Sequence, residues 1–262
     1  MRRRTIVPGI LIALLSACTQ TDRVDKAWVP PAGPPTIERL RVRGTTMELE
    51  FVRLPGAADS GRDLFVARTE LTWDVAERFE DADEPEDVRA ELGLDAITRP
   101  TKPYGSPYHD EWGPRGPRPA VHTTANYAAA CAEWLGRLCG TPLRLPSESE
   151  WERLCSSVVR VPVEEYAWVL GNSEEQSHPV GGRREDALGL FDLQGNAAEW
   201  VMRPDGVPML KGLSYLDPAD LEPCVRAVPD DAALRNGDSQ FPPSIWWRIS
   251  GPFAGARFVF ER

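Results

Sequence analysis

The last hundred residues constrain the fold more than any other part of the chain. Beyond Ser156, glycine, proline and short apolar runs follow one another, and no segment keeps the 3.6-residue periodicity of a long helix. This pattern predicts strands and loops. We therefore expect one mixed α/β domain spanning residues 38–262, and no second core is evident.

The first half of this domain carries clearer local signals. Residues 47–54 and 64–69 are rich in β-branched and aromatic side chains, which predicts two strands. After Thr72, apolar residues at helical spacing predict a short helix. A longer helix follows, capped by Thr123 or Thr124 and ended by Gly140. Ser147 and Glu150 have the spacing of a capping box, which predicts another helix start.

The N-terminus resembles a bacterial export signal. Three arginines precede a short apolar run that ends in Leu-Ser-Ala-Cys at Cys18, similar to a lipobox. The apolar run is too short for a transmembrane helix. This predicts a lipoprotein signal peptide at residues 1–17 and a lipidated Cys18 that attaches the protein to the cell envelope. Thr19 after the cysteine favours the outer membrane, by similarity to Gram-negative lipoproteins.

Charge and proline content predict how the anchored protein is presented. The net charge of −10 disfavours nucleic acid as a partner. Cleavage of the signal removes three arginines and changes this charge to −13. Paired prolines follow Cys18, and they predict an extended tether over residues 18–37.

Four ordered motifs resemble the formylglycine-generating enzyme family, also called sulfatase-modifying factors. These motifs are FVARTELT at 65–72, ANYAAAC at 125–131 continuing to RLPSESEWE at 144–152, YAW with GN at 166–172, and GLFDLQGNAAEW at 189–200. The closing segments KGLSY at 211–215 and GARF at 255–258 are similar to the family's last elements. The resemblance implies a C-type-lectin-like mixed α/β fold with little regular secondary structure.

The same resemblance argues against the family's oxidase chemistry. The family's oxidases convert a cysteine to formylglycine with copper held by two cysteines, and thiolates are the soft ligands that Cu(I) requires. The equivalent positions here are Asp217 and Glu222. Cys224 lies two residues beyond the second position. We therefore expect no copper and no oxidase of this type.

A family calcium site is the metal site that the resemblance implies. Its ligands correspond to the side chains of Asp192 and Glu199 and the carbonyls of Gly195 and Ala197, an oxygen set that suits Ca²⁺. The alternative is that Gly195 only makes a turn while Trp200 fills the core. The three histidines show no metal-ligand spacing.

The family's active-site groove supplies a second candidate site. Its equivalents here are Ser214, Tyr215, Asp217, Arg226, Arg235, Trp246 and Trp247. Four cysteines remain besides Cys18, and an oxidising compartment permits disulfides among them. A pair between Cys131 and Cys155 is preferred, because the family packs the two helices that carry them together. The alternative is buried free thiols.

Two functions follow from these residues. The first is a non-catalytic envelope lipoprotein that binds or scaffolds a protein, peptide or glycan through the groove. The second is a divergent oxidoreductase or peptide-modifying enzyme that uses Cys224 with Asp217, where the nearby Arg226 would lower the pKa of the thiol.

Overall fold

The fold is built from two four-stranded sheets with helices packed between and around them. The computed structural model describes residues 28–82, 116–158, 162–231, 234 and 250–262. The elements of these residues are β1 (Thr36–Arg41), β2 (Glu48–Leu54), β3 (Leu64–Ala67), α1 (Trp73–Asp81), α2 (Ala125–Cys139), α3 (Glu148–Ser157), a 3-10 turn (Val163–Glu165), α4 (Leu170–Ser173), β4 (Ala198–Met202), β5 (Pro208–Lys211), β6 (Ala227–Pro229), β7 (Ala254–Gly255) and β8 (Val259–Glu261).

The first sheet joins the two ends of the domain. Its order is β1-β2-β3-β8, and every pair in it is antiparallel. Phe65 on β3 stacks on Phe260 on β8, and Phe51 on β2 meets the same ring edge-on. The aromatic contacts therefore bind the C-terminal strand to the two strands that the sequence predicts.

The second sheet carries Glu199 of the candidate metal site on β4, and the other three residues of that site lie in the segment just before β4. The order of this sheet is β6-β5-β4-β7, and the short β7 pairs with β4 in parallel. Trp200 on β4 is fully buried, and its indole N–H donates to the Thr123 carbonyl at 2.8 Å. Trp200 therefore fills the core, as in the alternative to the calcium site, and the same strand also carries Glu199.

The three longer helices begin where the local signals place them. Thr124 accepts a hydrogen bond from Tyr127 N at the start of α2, and Gly140 takes the left-handed conformation at its end. Ser147 and Glu150 form the complete capping box of α3. Each cap satisfies backbone N–H groups that the first helical turn would leave unpaired. None of the helices in the described ranges is long and apolar enough to cross a bilayer.

The N-terminal boundary differs from the one predicted at residue 38. The indole N–H of Trp28 donates to the Pro55 carbonyl at 2.9 Å, and the ring packs on a buried cluster beneath the first sheet. Pro35 lies so close to Gly189 that an added Cβ there would come within 2.7 Å of the proline ring. The ordered domain therefore includes Trp28, because prolines typical of a tether also pack well against a sheet edge.

Candidate functional site

The loop after β5 is held by a network centred on Asp217. One carboxylate oxygen accepts from Ser214 N at 2.9 Å and from Ser214 Oγ at 2.6 Å. The other accepts from Arg226 Nε at 3.0 Å, and Arg226 also donates to the Gly212 carbonyl at 2.9 Å. Asp217 thus closes the loop on itself, as a carboxylate commonly does in a tight turn.

The predicted groove residues divide into three groups in the structure. Ser214 and Tyr215 are fully buried, and the Tyr215 hydroxyl donates to the Pro252 carbonyl at 3.1 Å. Asp217 and Arg226 pair with each other, each side chain 15% exposed. Three others, Arg235, Trp246 and Trp247, lie outside the described residues, as does Cys18. Ser214 and Tyr215 are therefore core residues beneath the loop after β5, and they do not line an open groove.

The disulfide predicted from the resemblance is wrong. Cys155 on α3 bonds to Cys224, at a Cα–Cα separation of 5.5 Å, and Cys131 is a buried free thiol. Burial raises the pKa of the Cys131 thiol above its ordinary value. Both Cys131 and Cys155 do face the core, but they lie in different buried clusters, and Cys224 is in the same cluster as Cys155.

This pairing also overturns the candidate thiol chemistry of Cys224. A sulfur in a disulfide carries no thiolate, so Cys224 is not available as a nucleophile or as a copper ligand in this state. Asp217 is engaged by Ser214 and Arg226, as described above. The interpretation in which Cys224 acts with Asp217 is therefore contradicted by the covalent structure.

The predicted calcium residues form part of a buried acidic cluster. Glu199 accepts from Arg257 Nε at 2.9 Å and from the Trp151 indole N–H at 2.8 Å. The Glu199 and Arg257 side chains are both 1% exposed. Asp192 accepts from Gly181 N at 2.9 Å through one oxygen, and its other oxygen is buried with no hydrogen-bond partner among the described residues.

Glu70 is a third carboxylate of this cluster, and the sequence interpretation did not assign it. Its two oxygens accept from Asn196 Nδ2 at 2.9 Å and from Ala197 N at 2.8 Å. Burial raises the pKa of Glu70 well above its usual range, and the charge of Asp192 raises it further. Glu70 and Arg257 both lie in the quoted motifs, but no local pattern indicates that they meet.

The charges of this cluster do not balance. Glu70, Asp192 and Glu199 are three buried acidic groups, Arg257 is a buried basic group among them, and the charge of Arg183 also acts on Asp192. Burial raises the pKa of Asp192 to about 6, and the neighbouring Glu199 contributes to this increase. Buried charges that lack a counter-charge either take up protons or attract a cation.

Some features of the acidic cluster suit a calcium ion and others do not. The free oxygen of Asp192 and the uncompensated negative charge are what a hard cation requires. Glu199 already accepts two hydrogen bonds, one from Trp151 and one from Arg257, and it forms an ion pair with Arg257. Within the described ranges no group of three or more His, Cys, Asp or Glu side chains is placed to hold a metal ion. A calcium site here therefore depends on backbone carbonyls as well as on Asp192.

Asn196 and His178 connect this cluster to the surface. Asn196 has a φ of 63°, and its side-chain amide both accepts from His178 N and donates to the His178 carbonyl. The His178 ring stacks on Trp168 with 3.8 Å between ring centroids, and Arg183 lies over the same indole. His178 therefore has a packing and hydrogen-bonding role, as its scattered position in the sequence indicates.

Much of this chain matches the model of a known protein family. Residues 65–229 match the model of the sulfatase-modifying factor enzyme 1-like domain. The chain belongs to this sulfatase-modifying factor family. The matched range contains the acidic cluster except for Arg257, and it contains the Asp217 loop. The predicted family and the mixed α/β fold are thus confirmed.

Known relatives agree with this assignment. The chain is 32% identical over 130 residues to the inactive C-alpha-formylglycine-generating enzyme 2 of Mus musculus, and the match spans 39% of each chain. The structure is similar to Treponema denticola variable protein 1, with a TM-score of 0.57, 16% identity and coverage of 87% of this chain and 100% of that one. PvdO from Pseudomonas aeruginosa gives a TM-score of 0.51 and 18% identity, covering 87% of this chain and 92% of that one. These two structures share the fold.

Proposed function

We propose that this protein is a lipid-anchored envelope lipoprotein whose sulfatase-modifying-factor domain binds or scaffolds a partner and does not act as a formylglycine-generating oxidase. One observation carries the proposal. Asp217, at the position of the family's first catalytic cysteine, is a carboxylate engaged by Ser214 and Arg226. A hard, fully paired oxygen ligand is unsuited to Cu(I).

The surroundings of Asp217 support a binding role over a catalytic one. Glu222 stands at the second family position, and its carbonyl accepts from Val225 N and Arg226 N in a turn. The nearby Cys224 is oxidised with Cys155. The relative from Mus musculus carries the description "inactive", which is consistent with a family member that has kept the domain and lost the reaction.

A direct assay tests the loss of the oxidase. The purified protein is incubated with Cu(I) and a cysteine-containing peptide, and the peptide is followed by mass spectrometry. We expect no conversion of cysteine to formylglycine and no stoichiometric copper. Conversion, or one copper per chain that survives dialysis, would contradict the proposal. A peptide modified in another way would support the alternative of a divergent peptide-modifying enzyme.

The proposed localisation is the outer membrane, with Cys18 as the lipid-bearing residue and an envelope protein, peptide or glycan as the partner. The test is metabolic labelling with a fatty acid, combined with membrane fractionation, for the wild type and Cys18→Ala. We expect label and outer-membrane association to be lost together in the variant. Cys139→Ala is the control, because Cys139 lies at the end of α2 inside the domain.

Calcium is the cofactor that we propose for the acidic cluster. Asp192 and Glu199 would hold the ion together with the carbonyls of Gly195 and Ala197, and its charge would offset the excess of carboxylates. The test is elemental analysis, with thermal unfolding in calcium and in chelator. We expect calcium to raise the melting temperature of the wild type and to have a much smaller effect on Asp192→Ala. Equal effects on both proteins would place any bound calcium elsewhere.

A further inference from the structure

A shallow cavity lined by arginines lies at the β1–β2 hairpin, remote in sequence from the family motifs. Its volume is about 760 Å³, and its lining residues are Arg41, Arg43, Gly44, Thr45, Thr46 and Arg78. Arg41 ends β1, Arg43 lies in the turn that follows, and Arg78 projects from α1. The end of β1, the turn after it and the separate helix α1 therefore bring three guanidinium groups to one surface.

Arg43 is held in a fixed orientation by the end of α2. Its Nε donates to the Leu138 carbonyl at 3.0 Å, and its Nη2 donates to the Arg137 carbonyl at 2.5 Å. These carbonyls lie at the negative end of the helix dipole, where a cation is stabilised. Arg43 Nη1 has no hydrogen-bond partner within the described ranges, so one donor of an oriented guanidinium remains available.

The other two arginines have no counter-charge among the described residues. Arg41 and Arg78 are both exposed, and neither forms an ion pair or a side-chain hydrogen bond with that part of the chain. Glu48 lies opposite Arg41 in the strand register, yet no ion pair within 4.0 Å joins them. In a chain of net charge −10, three arginines around one cavity form a local positive potential that favours an anion.

Hydrogen bonds within the turn between β1 and β2 fix the conformation of one side of the cavity. Thr45 Oγ1 donates to the Val42 carbonyl at 2.9 Å and accepts from Met47 N at 3.0 Å. Val42 N donates to the Met47 carbonyl at 3.0 Å, which closes the turn. The turn therefore holds Arg43 and the two threonines in place before any ligand arrives, and less ordering is needed on binding.

We propose that this arginine cavity binds a doubly charged tetrahedral oxyanion, the phosphate monoester group of a larger ligand. Planar guanidinium groups match the oxygens of such esters in bidentate geometry. Three converging cations suit a group with two charges and three free oxygens. The site is separate from the Asp217 loop and from the acidic cluster, and only its orientation relative to the membrane rests on the lipid anchor proposed above.

The position of the cavity indicates that the ester reaches it from the side of the domain that faces away from the proposed lipid anchor. Trp28, at the N-terminal end of the described domain, bonds to Pro55 at the end of β2, whereas the cavity lies at the opposite end of the β1–β2 hairpin. A strand of six residues spans roughly 20 Å. If Cys18 carries the lipid, the chain enters the domain from the membrane at the end remote from the arginines.

Titration calorimetry of the full-length protein tests this proposal, with inorganic phosphate and inorganic sulfate as probes and chloride at equal ionic strength as reference. We expect saturable binding of both probes. Replacing two arginines in Arg41→Gln/Arg78→Gln should weaken binding at least tenfold. Arg53→Gln/Arg62→Gln is the matched control, because it removes two exposed arginines from another surface. Equal weakening in both variants, or binding no tighter than that of chloride, would overturn the proposal.

A second arm distinguishes a soluble ester from a lipid headgroup. The same proteins are sedimented with phosphatidylglycerol vesicles. We expect vesicle association to be unaffected by Arg41→Gln/Arg78→Gln, while phosphate binding is lost. Vesicle binding that disappears only in this variant would assign the phosphate to the membrane surface and overturn the inferred orientation. Because both arginines are exposed and unpaired, the melting temperature of the variant should remain within about 2 °C of wild type.

Discussion

Glu199 and Arg257 form an ion pair that is buried on both sides, with Arg257 Nη2 at 2.8 Å from Glu199 Oε1. The same guanidinium donates to the carbonyls of Ala67 and Phe191, each at 2.8 Å. One side chain thus links β3 of the first sheet, β4 of the second and the loop that carries Asp192. The acidic cluster is part of the framework that holds the sheets together.

Arg257→Met should destabilise the protein by about 3–5 kcal/mol, because it leaves three buried carboxylates without their cation. The measurement is urea unfolding followed by tryptophan fluorescence. Arg62→Met is the control, since its ion pair with Glu261 is 61% exposed on the arginine side and should contribute at most about 1 kcal/mol. Glu199→Gln/Arg257→Met should cost less than the two single changes combined. Similar costs for Arg257→Met and Arg62→Met would contradict the structural role.

The Cys155–Cys224 disulfide closes a loop across 69 residues and ties α3 to the segment after β5. Cys155→Ala/Cys224→Ala should lower the free energy of unfolding by about 2–4 kcal/mol, chiefly by freeing the unfolded chain. Cys139→Ser, which changes a free thiol, is the control. Non-reducing peptide mapping should recover the 155–224 pair. Recovery of a peptide linking Cys131 to Cys155 would instead restore the pairing implied by the family resemblance.

Asp186 gives the protein a pH-dependent stability with a defined sign. Burial raises the pKa of Asp186 to about 6, and one of its oxygens, beside the small cavity that Asp192 also lines, is buried without a hydrogen-bond partner in the part of the chain that the structure describes. The folded state therefore holds the proton more tightly than the unfolded state. The protonated Asp186 carboxyl therefore contributes to the free energy of unfolding in full below about pH 4. This contribution, at most about 3 kcal/mol, is lost as pH rises to about 6.

Asp186→Asn should make this decline shallower, since an amide does not titrate. Asp205→Asn is the matched control, because Asp205 also accepts a backbone N–H in a turn, from Val207, but is exposed. The measurement is the urea midpoint at intervals between pH 4 and pH 7. A pH profile of Asp186→Asn that superimposes on that of the wild type would show that Asp186 is not the titrating group.

Asp217→Ala should cost about 1–3 kcal/mol, because two donors of Ser214 and the guanidinium of Arg226 lose their acceptor. Asp220→Ala, an exposed neighbour in the same loop, should change stability by less than about 0.5 kcal/mol. Chemical unfolding of both variants is the measurement. If Asp217→Ala were neutral while a detected partner no longer bound, the carboxylate would belong to a binding surface and not to the frame of the loop.

Local signals made a large part of this architecture predictable. The capping box at Ser147, the cap at Thr124 and the glycine that ends α2 each act within a few residues, so the sequence alone locates these helices. The absence of cysteine at positions 217 and 222 is likewise a property of the sequence, once the motifs are aligned with the family. Residue type alone therefore disfavours Cu(I) at these two positions.

Contacts between distant segments were decided only by the tertiary structure. The sequence offered four cysteines as partners, and the packing of α3 against the loop after β5 selected Cys224 for Cys155. Glu70 and Arg257 lie 187 residues apart in the chain, and the meeting of the two sheets places both in one buried cluster. Arg41 and Arg78 come together because α1 folds back beside the first hairpin. Residue type and spacing determine what a segment can form locally, whereas burial and charge compensation depend on neighbours that only the folded chain supplies.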